Sequence, residues 1–291
     1  MKSNQHSSKA ITYAVGSAAL YALYPPIAKL LVRNCPPAYL SAFLYLGTGI
    51  GMAIITMILR SKQAKFGPNL KRSDTKSLIA VIGFNIAASI LMNLGVQLTS
   101  SSNIALLGNF EIVATSIIAY WLFHEHISKV TAAAIIIITT ASLLLSVNDI
   151  SHFSISLGSL LAIIATICWG LENNFTRVLS DRNPLQVVIV KGLGVGIGSL
   201  IFVPIMHENR PPVATIFWAL LLGFVAYGVS IVLYILAQRY IGAARTSAYY
   251  AIAPFISVGI SFVLFGEQLT MGFLAALFLM IIGSVLLTKA N

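Results

Sequence analysis

Three charged residues lie well away from the ends of long apolar stretches of this 291-residue chain: Glu111, Glu172 and Lys191. A charge in hydrocarbon is costly, so such residues face a cavity or pair with one another. Glu172 precedes Arg182 by ten residues and Lys191 follows it by nine. In two helices joined by a hairpin near Asp181–Asn183, a rise of about 1.5 Å per residue puts both at nearly one depth. The spacing predicts a Glu172–Lys191 ion pair, which either braces the hairpin or acts on a ligand. Glu111 has no basic neighbour in sequence and shares its stretch with Asn103, Asn109 and Thr115. A carboxyl in low dielectric keeps its proton until a cation displaces it. Such a group can exchange a proton for a substrate amine.

Uncharged polar residues form stripes. Asn85, Ser89, Asn93 and Gln97 recur at every fourth position, which places them on one helix face. Tyr227, Ser230, Tyr234 and Gln238, at 3-4-4 spacing, form a matching stripe later in the chain. Such stripes either glue helices together or line a wetted path. Tyr21, Tyr24 and Trp169 supply aromatic faces able to hold an organic cation. Asn173, next to Glu172, and Tyr250 complete the candidate substrate-binding set.

Other motifs do not support chemistry of their own. The run KGLGVGIGS at Lys191–Ser199 lies within an apolar segment, not between a soluble strand and a helix, so close helix packing explains its glycines better than nucleotide binding. In HEHIS, at His124–Ser128, one residue separates the histidines, whereas two zinc ligands on one helix face need i, i+4 spacing. Cys35 and Cys168 suggest neither metal spacing nor a disulfide framework. The sequon Asn174-Phe175-Thr176 falls inside a predicted span. No cofactor is expected.

The elements that carry these residues follow from composition. Apolar residues make up 58% of the chain and charged residues only 9%, against about 25% charged in a soluble domain. That excludes a soluble nucleic-acid binder despite the net charge of +10. Segments of about 20 apolar residues recur ten times, at roughly 11–32, 39–59, 78–98, 103–123, 130–147, 155–179, 185–206, 214–238, 246–265 and 271–288. The N-terminal segment has no small-residue cleavage site and is expected to stay as the first span. With the N-terminus inside, Lys2, Lys9, Arg60, Lys62, Lys65, Lys71, Arg72, Lys76, Lys129 and most other basic residues lie on the cytoplasmic side. Lys29, Arg33 and Arg210 fall outside. The expected fold is an all-α membrane protein of ten transmembrane helices with both termini cytoplasmic.

The two groups of five spans show weak self-similarity. Pro37, Gly47, Gly49 and Gly51 recur 147 residues later as Pro184, Gly194, Gly196 and Gly198. Gln97 pairs with Gln238 at an offset of 141, and Glu125 with Glu267 at 142. Because five is odd, the second unit, at 155–288, must be inverted relative to the first, at 10–147. Inverted repeats suit alternating access around a midplane site.

The stretch SAYYAIAPFISVGISFVLFGEQLT, with Pro254, Gly266 and Glu267, resembles the EamA-type members of the drug/metabolite transporter superfamily. The matching stretch of the first half keeps Glu125 but has Ile112 and His124 where the family often has proline and glycine. The resemblance implies a carrier, often an exporter, whose path is lined mainly by spans 1, 3, 4, 6, 8 and 9, with spans 5 and 10 peripheral.

The expected function is secondary active transport of a small polar or amphipathic metabolite, such as an amino acid or organic amine. The partners are then that substrate, the bilayer of the cytoplasmic membrane and a coupled proton. An intramembrane enzyme needs a nucleophile with its base or a metal cluster. Gly228-Val229-Ser230 lacks the closing glycine of a serine-hydrolase elbow. A channel or scaffold has no need of inverted halves, and no P-loop is present to power a pump.

Overall fold

A computed structural model describes residues 2–60, 67–123, 128–149, 154–179, 182–241, 246, 249–250, 252–267 and 270–290. Glu125 with His124, and the loop bases Lys62, Lys65 and Arg245, lie outside the described residues.

The chain is an all-helical, multi-pass membrane protein. Its helices are α1 (Lys2–Tyr21), α2 (Tyr24–Leu31), α3 (Pro37–Arg60), α4 (Thr75–Leu98), α5 (Ser101–Leu107), α6 (Phe110–Phe123) and α7 (Lys129–Ser146). A short antiparallel pairing of Val147–Asp149 with Ser154–Ile155 separates them from α8 (Leu157–Val178), α9 (Pro184–Ile205) and α10 (Val213–Leu222). A π-helical stretch, Gly223–Val229, then leads into α11 (Ser230–Ile241), followed by α12 (Ala253–Phe265) and α13 (Met271–Ala290). Six helical stretches among the described residues are long and apolar enough to cross a bilayer. They are Lys9–Leu31, Pro37–Ile58, Arg72–Leu98, Ser101–Leu122, Pro184–Ile205 and Val213–Ala237. Shorter apolar helices cover Lys129–Leu145, Ala253–Phe265 and Met271–Leu286. Helices are required here because lipid offers no partner to an open backbone. Large apolar side chains such as Met57, Ile136, Ile197 and Val263 are exposed on the outer faces, where lipid tails cover them.

Local chemistry sets the helix ends and breaks. Pro25 and Pro26 open α2, whose missing donors interrupt the first span at Ala22 and Leu23. Asn183 caps α9 by accepting from Leu185 N at 3.0 Å, and Ser100 caps α5 by accepting from Asn103 N at 3.1 Å. Gly266 ends α12 in the left-handed region, φ +57°, where a side chain is strained. Glu267 then accepts from Ser101 N (3.1 Å), Ser101 Oγ (3.0 Å) and Ser102 N (3.3 Å), tying the end of α12 to the start of α5. At the same end Lys29 Nζ donates to the carbonyls of Val96 (2.7 Å) and Thr99 (2.6 Å), which close α4. At the opposite end Arg182 meets Asp74 through two bonds of 2.8 and 3.0 Å.

Glycines let the central helices touch backbone to backbone. A Cβ on Gly223 would lie 1.8 Å from the Leu44 carbonyl oxygen, and one on Gly47 would lie 2.0 Å from that of Leu220. Gly192 and Gly196 face α3, whereas Gly194 and Gly198 face Ile82 and Ile86 of α4. The glycine run is therefore wholly packed between two helices, which leaves it no cradle for a phosphate.

Gly223→Ala should destabilise the protein by about 1–3 kcal/mol through overpacking. Gly83→Ala and Gly259→Ala, whose added carbons meet nothing within 4 Å, should be neutral or slightly stabilising because alanine favours helix. Denaturation midpoints in detergent check this; equal midpoints for all three variants would contradict the packing account.

Candidate functional site: an aromatic cavity with two carboxylates

A cavity of about 550 Å³ lies between α1, α2, α3, α4, α5, α6, α8, α9, the π-helical stretch, α11, α12 and α13, within the usual range for a small-molecule site. Helix breaks shape it. The interruption after α1 turns Tyr21 and Tyr24 inward, and the one between α5 and α6 brings Asn109 and Glu111 to the wall. The π-helical stretch carries Tyr227, and wider turns of this kind often occur at functional sites. Thr48 Oγ1 donates to the Gly223 carbonyl at 2.9 Å, satisfying backbone at the start of that stretch.

The tyrosine rings converge. Tyr227 lies 5.1 Å from Tyr24, 5.4 Å from Tyr45 and 6.0 Å from Tyr21 between ring centres. Tyr250 lies 5.6 Å from Tyr21 and 5.1 Å from Tyr234. Trp169 completes the wall, its Nε1 donating to Asn85 Oδ1 at 3.2 Å. Such a cluster offers several electron-rich faces to one cation.

The charged groups line the same space. Glu111 Oε1 accepts from Asn173 Nδ2 at 2.6 Å, and Asn173 Nδ2 also reaches Thr115 Oγ1 at 3.2 Å. Glu172, buried on α8, accepts from Lys191 Nζ at 3.2 Å and from Thr176 Oγ1. Hence, among the described residues, two carboxylates and one ammonium face the cavity, and Glu172 alone has a cation within salt-bridge distance. If all three are ionised, the cavity carries one negative charge in excess.

Of the candidate residues, Glu111, Glu172, Lys191, Asn173, Tyr21, Tyr24, Trp169, Tyr227, Ser230, Tyr234 and Tyr250 line this one cavity. Asn85, Ser89 and Asn93 do not. They stand one layer behind: Asn85 accepts from Tyr45 OH as well as from Trp169, and Asn93 accepts from Tyr24 OH at 3.0 Å. Ser89 accepts from Ser41 at 2.7 Å, joining α4 to α3. Ser230 also clasps α1 to α11, since Ser17 Oγ donates to its carbonyl (2.7 Å) and its own Oγ donates to that of Ser17 (3.0 Å). The Gln238 side chain lies outside the described residues.

The wall includes residues that sequence reasoning passed over: Tyr45, Thr48, Met92, Ser257 and Ser284. Helices α3, α9 and α13 therefore contribute, through Tyr45, Lys191 and Ser284, beyond the segments that the resemblance implied. Ser41, Tyr45 and Thr48 share one helix face by their spacing, a pattern that would have marked Tyr45. Wall residues near the Glu267–Ser101 contact, namely Tyr24, Met92, Ile104 and Ala105, are buried. Glu111, Asn173, Lys191 and Tyr234 are partly exposed.

Removing one partner of a buried ion pair strands the other. Glu172→Gln and Lys191→Met should each destabilise the protein, while the double variant recovers part of the loss. A double-mutant cycle in detergent should give a coupling of about 1–3 kcal/mol; strictly additive losses would mean the two groups are independent.

The model of the EamA-like transporter family matches residues 8–147 and 156–289. An uncharacterized transporter of Methanothermobacter thermautotrophicus is 22% identical over 256 residues, covering 82% of this chain and 74% of the relative. The uncharacterized transporter YyaM of Bacillus subtilis is 25% identical over 251 residues, covering 81% of this chain and 79% of the relative. A solved crystal structure shares the fold, with a TM-score of 0.68 at 16% identity over 96% of both chains. Matched along nearly its whole length, the chain belongs to the EamA-like transporter family.

Proposed function

We propose that this membrane transporter is a secondary active carrier, an exporter or exchanger, for a small amphipathic metabolite bearing a positive charge. The observation that carries this reading is the charge inventory of the cavity: Glu111, Glu172 and Lys191 on one wall, among converging tyrosines. A monocation neutralises the excess charge and meets the aromatic faces. A proton on Glu111 does the same when the site is empty. Exchange of one for the other couples substrate movement to the proton gradient, and no second energy source is needed.

In this reading ten spans form two inverted units, 10–147 and 155–288, with both termini cytoplasmic. The glycine contacts support it. An offset of 147 takes Gly49 to Gly196 and Leu46 to Leu193; Gly49 abuts Leu193, and Gly196 abuts Leu46. Similarly Gly47 abuts Leu220 while Gly194 abuts Ile82, and Gly51 abuts Phe224 while Gly198 abuts Ile86. An offset of 138 relates both Ile82 to Leu220 and Ile86 to Phe224. Such swapped contacts are what a two-fold axis between like units produces. The cavity lies beside that axis, where an alternating-access cycle needs its site.

In proteoliposomes an imposed pH gradient should drive accumulation of organic amines. Glu111→Gln keeps the side chain's shape and removes its titration, so uptake should fall at least about tenfold, a loss of about 1.4 kcal/mol, while folding yield changes little. Failure of the unmodified protein to move any amine would reject the substrate class. Undiminished pH-driven uptake by Glu111→Gln would reject the coupling role alone.

A further inference from the structure

The charge inventory leaves one part of the cavity unexplained. Asn109 and Ser257 belong to its wall and are 5% and 1% exposed, and their Nδ2 and Oγ atoms, closed to water, bond to nothing among the described residues. Buried donors without acceptors are rare and costly, so an acceptor that visits the site is the natural partner. Their depths coincide. Glu267 holds the end of α12 level with the start of α5. Ser257 lies eight residues inward from Phe265, and Asn109 lies eight residues inward from Ser101. At about 1.5 Å per residue both sit roughly 12 Å below that end, on neighbouring segments, because α12 packs along α5.

We propose that Asn109 and Ser257 form a hydrogen-bonding subsite selecting cations that carry an uncharged acceptor, such as an ester or amide carbonyl. This rests on the cation reading above and narrows it. Asn109 Nδ2 and Ser257 Oγ donate to the acceptor while the cationic end meets the tyrosines and Glu111. A free carboxylate is disfavoured there, because Asn109 is two residues from Glu111 and a zwitterion leaves the cavity's negative charge uncompensated. The subsite therefore rejects amino-acid-like zwitterions in favour of monocations of the same size.

Three probes with the same trimethylammonium head and similar length separate the possibilities. Pentyltrimethylammonium has no acceptor, acetylcholine has an ester carbonyl, and 4-trimethylammoniobutyrate has a carboxylate. Calorimetry on the purified full-length protein should show acetylcholine binding about tenfold tighter than pentyltrimethylammonium, a difference of about 1.4 kcal/mol, with the butyrate weakest. Asn109→Leu and Ser257→Ala should each bring the ratio of acetylcholine to pentyltrimethylammonium affinity close to one. Equal binding of ester and alkyl probes, or a preference that survives these substitutions, would overturn the subsite while the cation reading stands. Tightest binding by the butyrate would overturn the charge argument. If none of the probes binds, the cation reading falls, and the subsite with it.

Discussion

A charge held inside a membrane protein must find an opposite charge, a proton or water. The cavity described here contains three ionisable side chains, of which Glu172 and Lys191 answer each other at 3.2 Å. Among the described residues, the neutral amide of Asn173 is the side chain that holds Glu111, at 2.6 Å. That asymmetry organises the rest. Helix α8 presents Glu172 and Asn173 in succession, so one helix supports both carboxylates, the first through the lysine of α9 and the second through α6. Gly170, one turn earlier, allows this approach, since a Cβ there would lie 2.8 Å from that of Ala114 on α6.

Close packing on one side of the bundle opens space on another. Glycines at 47, 49, 51, 192, 196 and 223 draw α3, α9 and the π-helical stretch to within backbone contact. Breaks in Lys9–Leu31, Ser101–Leu122 and Val213–Ala237 then turn side chains into that space. Their orphaned backbone is satisfied locally, as at Thr48 and the Gly223 carbonyl. In lipid such irregular backbone is tolerated only where it faces protein or a cavity.

Much of this was legible in the sequence, and the limits have physical causes. The buried charges were visible because hydrocarbon makes them conspicuous, and the hairpin spacing alone brings Glu172 and Lys191 level. The tyrosines were visible as residues, but their convergence depends on the turn at Pro25-Pro26 and on the π-helical stretch, which shift helical phase in ways that periodicity does not encode. The stripe of Asn85, Ser89 and Asn93 illustrates the ambiguity of polar faces. It orients Tyr45, Trp169 and Tyr24 from behind and does not touch the cavity itself. Ser257 gave no signal as a lone small polar residue, because serines in membrane helices commonly satisfy their own backbone. Gly266 and Glu267 were legible as a motif, but their physical role, a left-handed stop followed by a cap on another helix, needed the fold.

The central claim is that a proton and an organic cation compete for Glu111. Proton release measures this directly. Purified protein in weakly buffered detergent solution is titrated with acetylcholine across the mildly acidic to neutral range, with pH and heat recorded together. The account predicts that binding expels protons, with a pH-dependent stoichiometry, and that Glu111→Gln binds without expelling them. Binding by the unmodified protein with no proton release at any pH in that range, or equal release from the Gln variant, would contradict it.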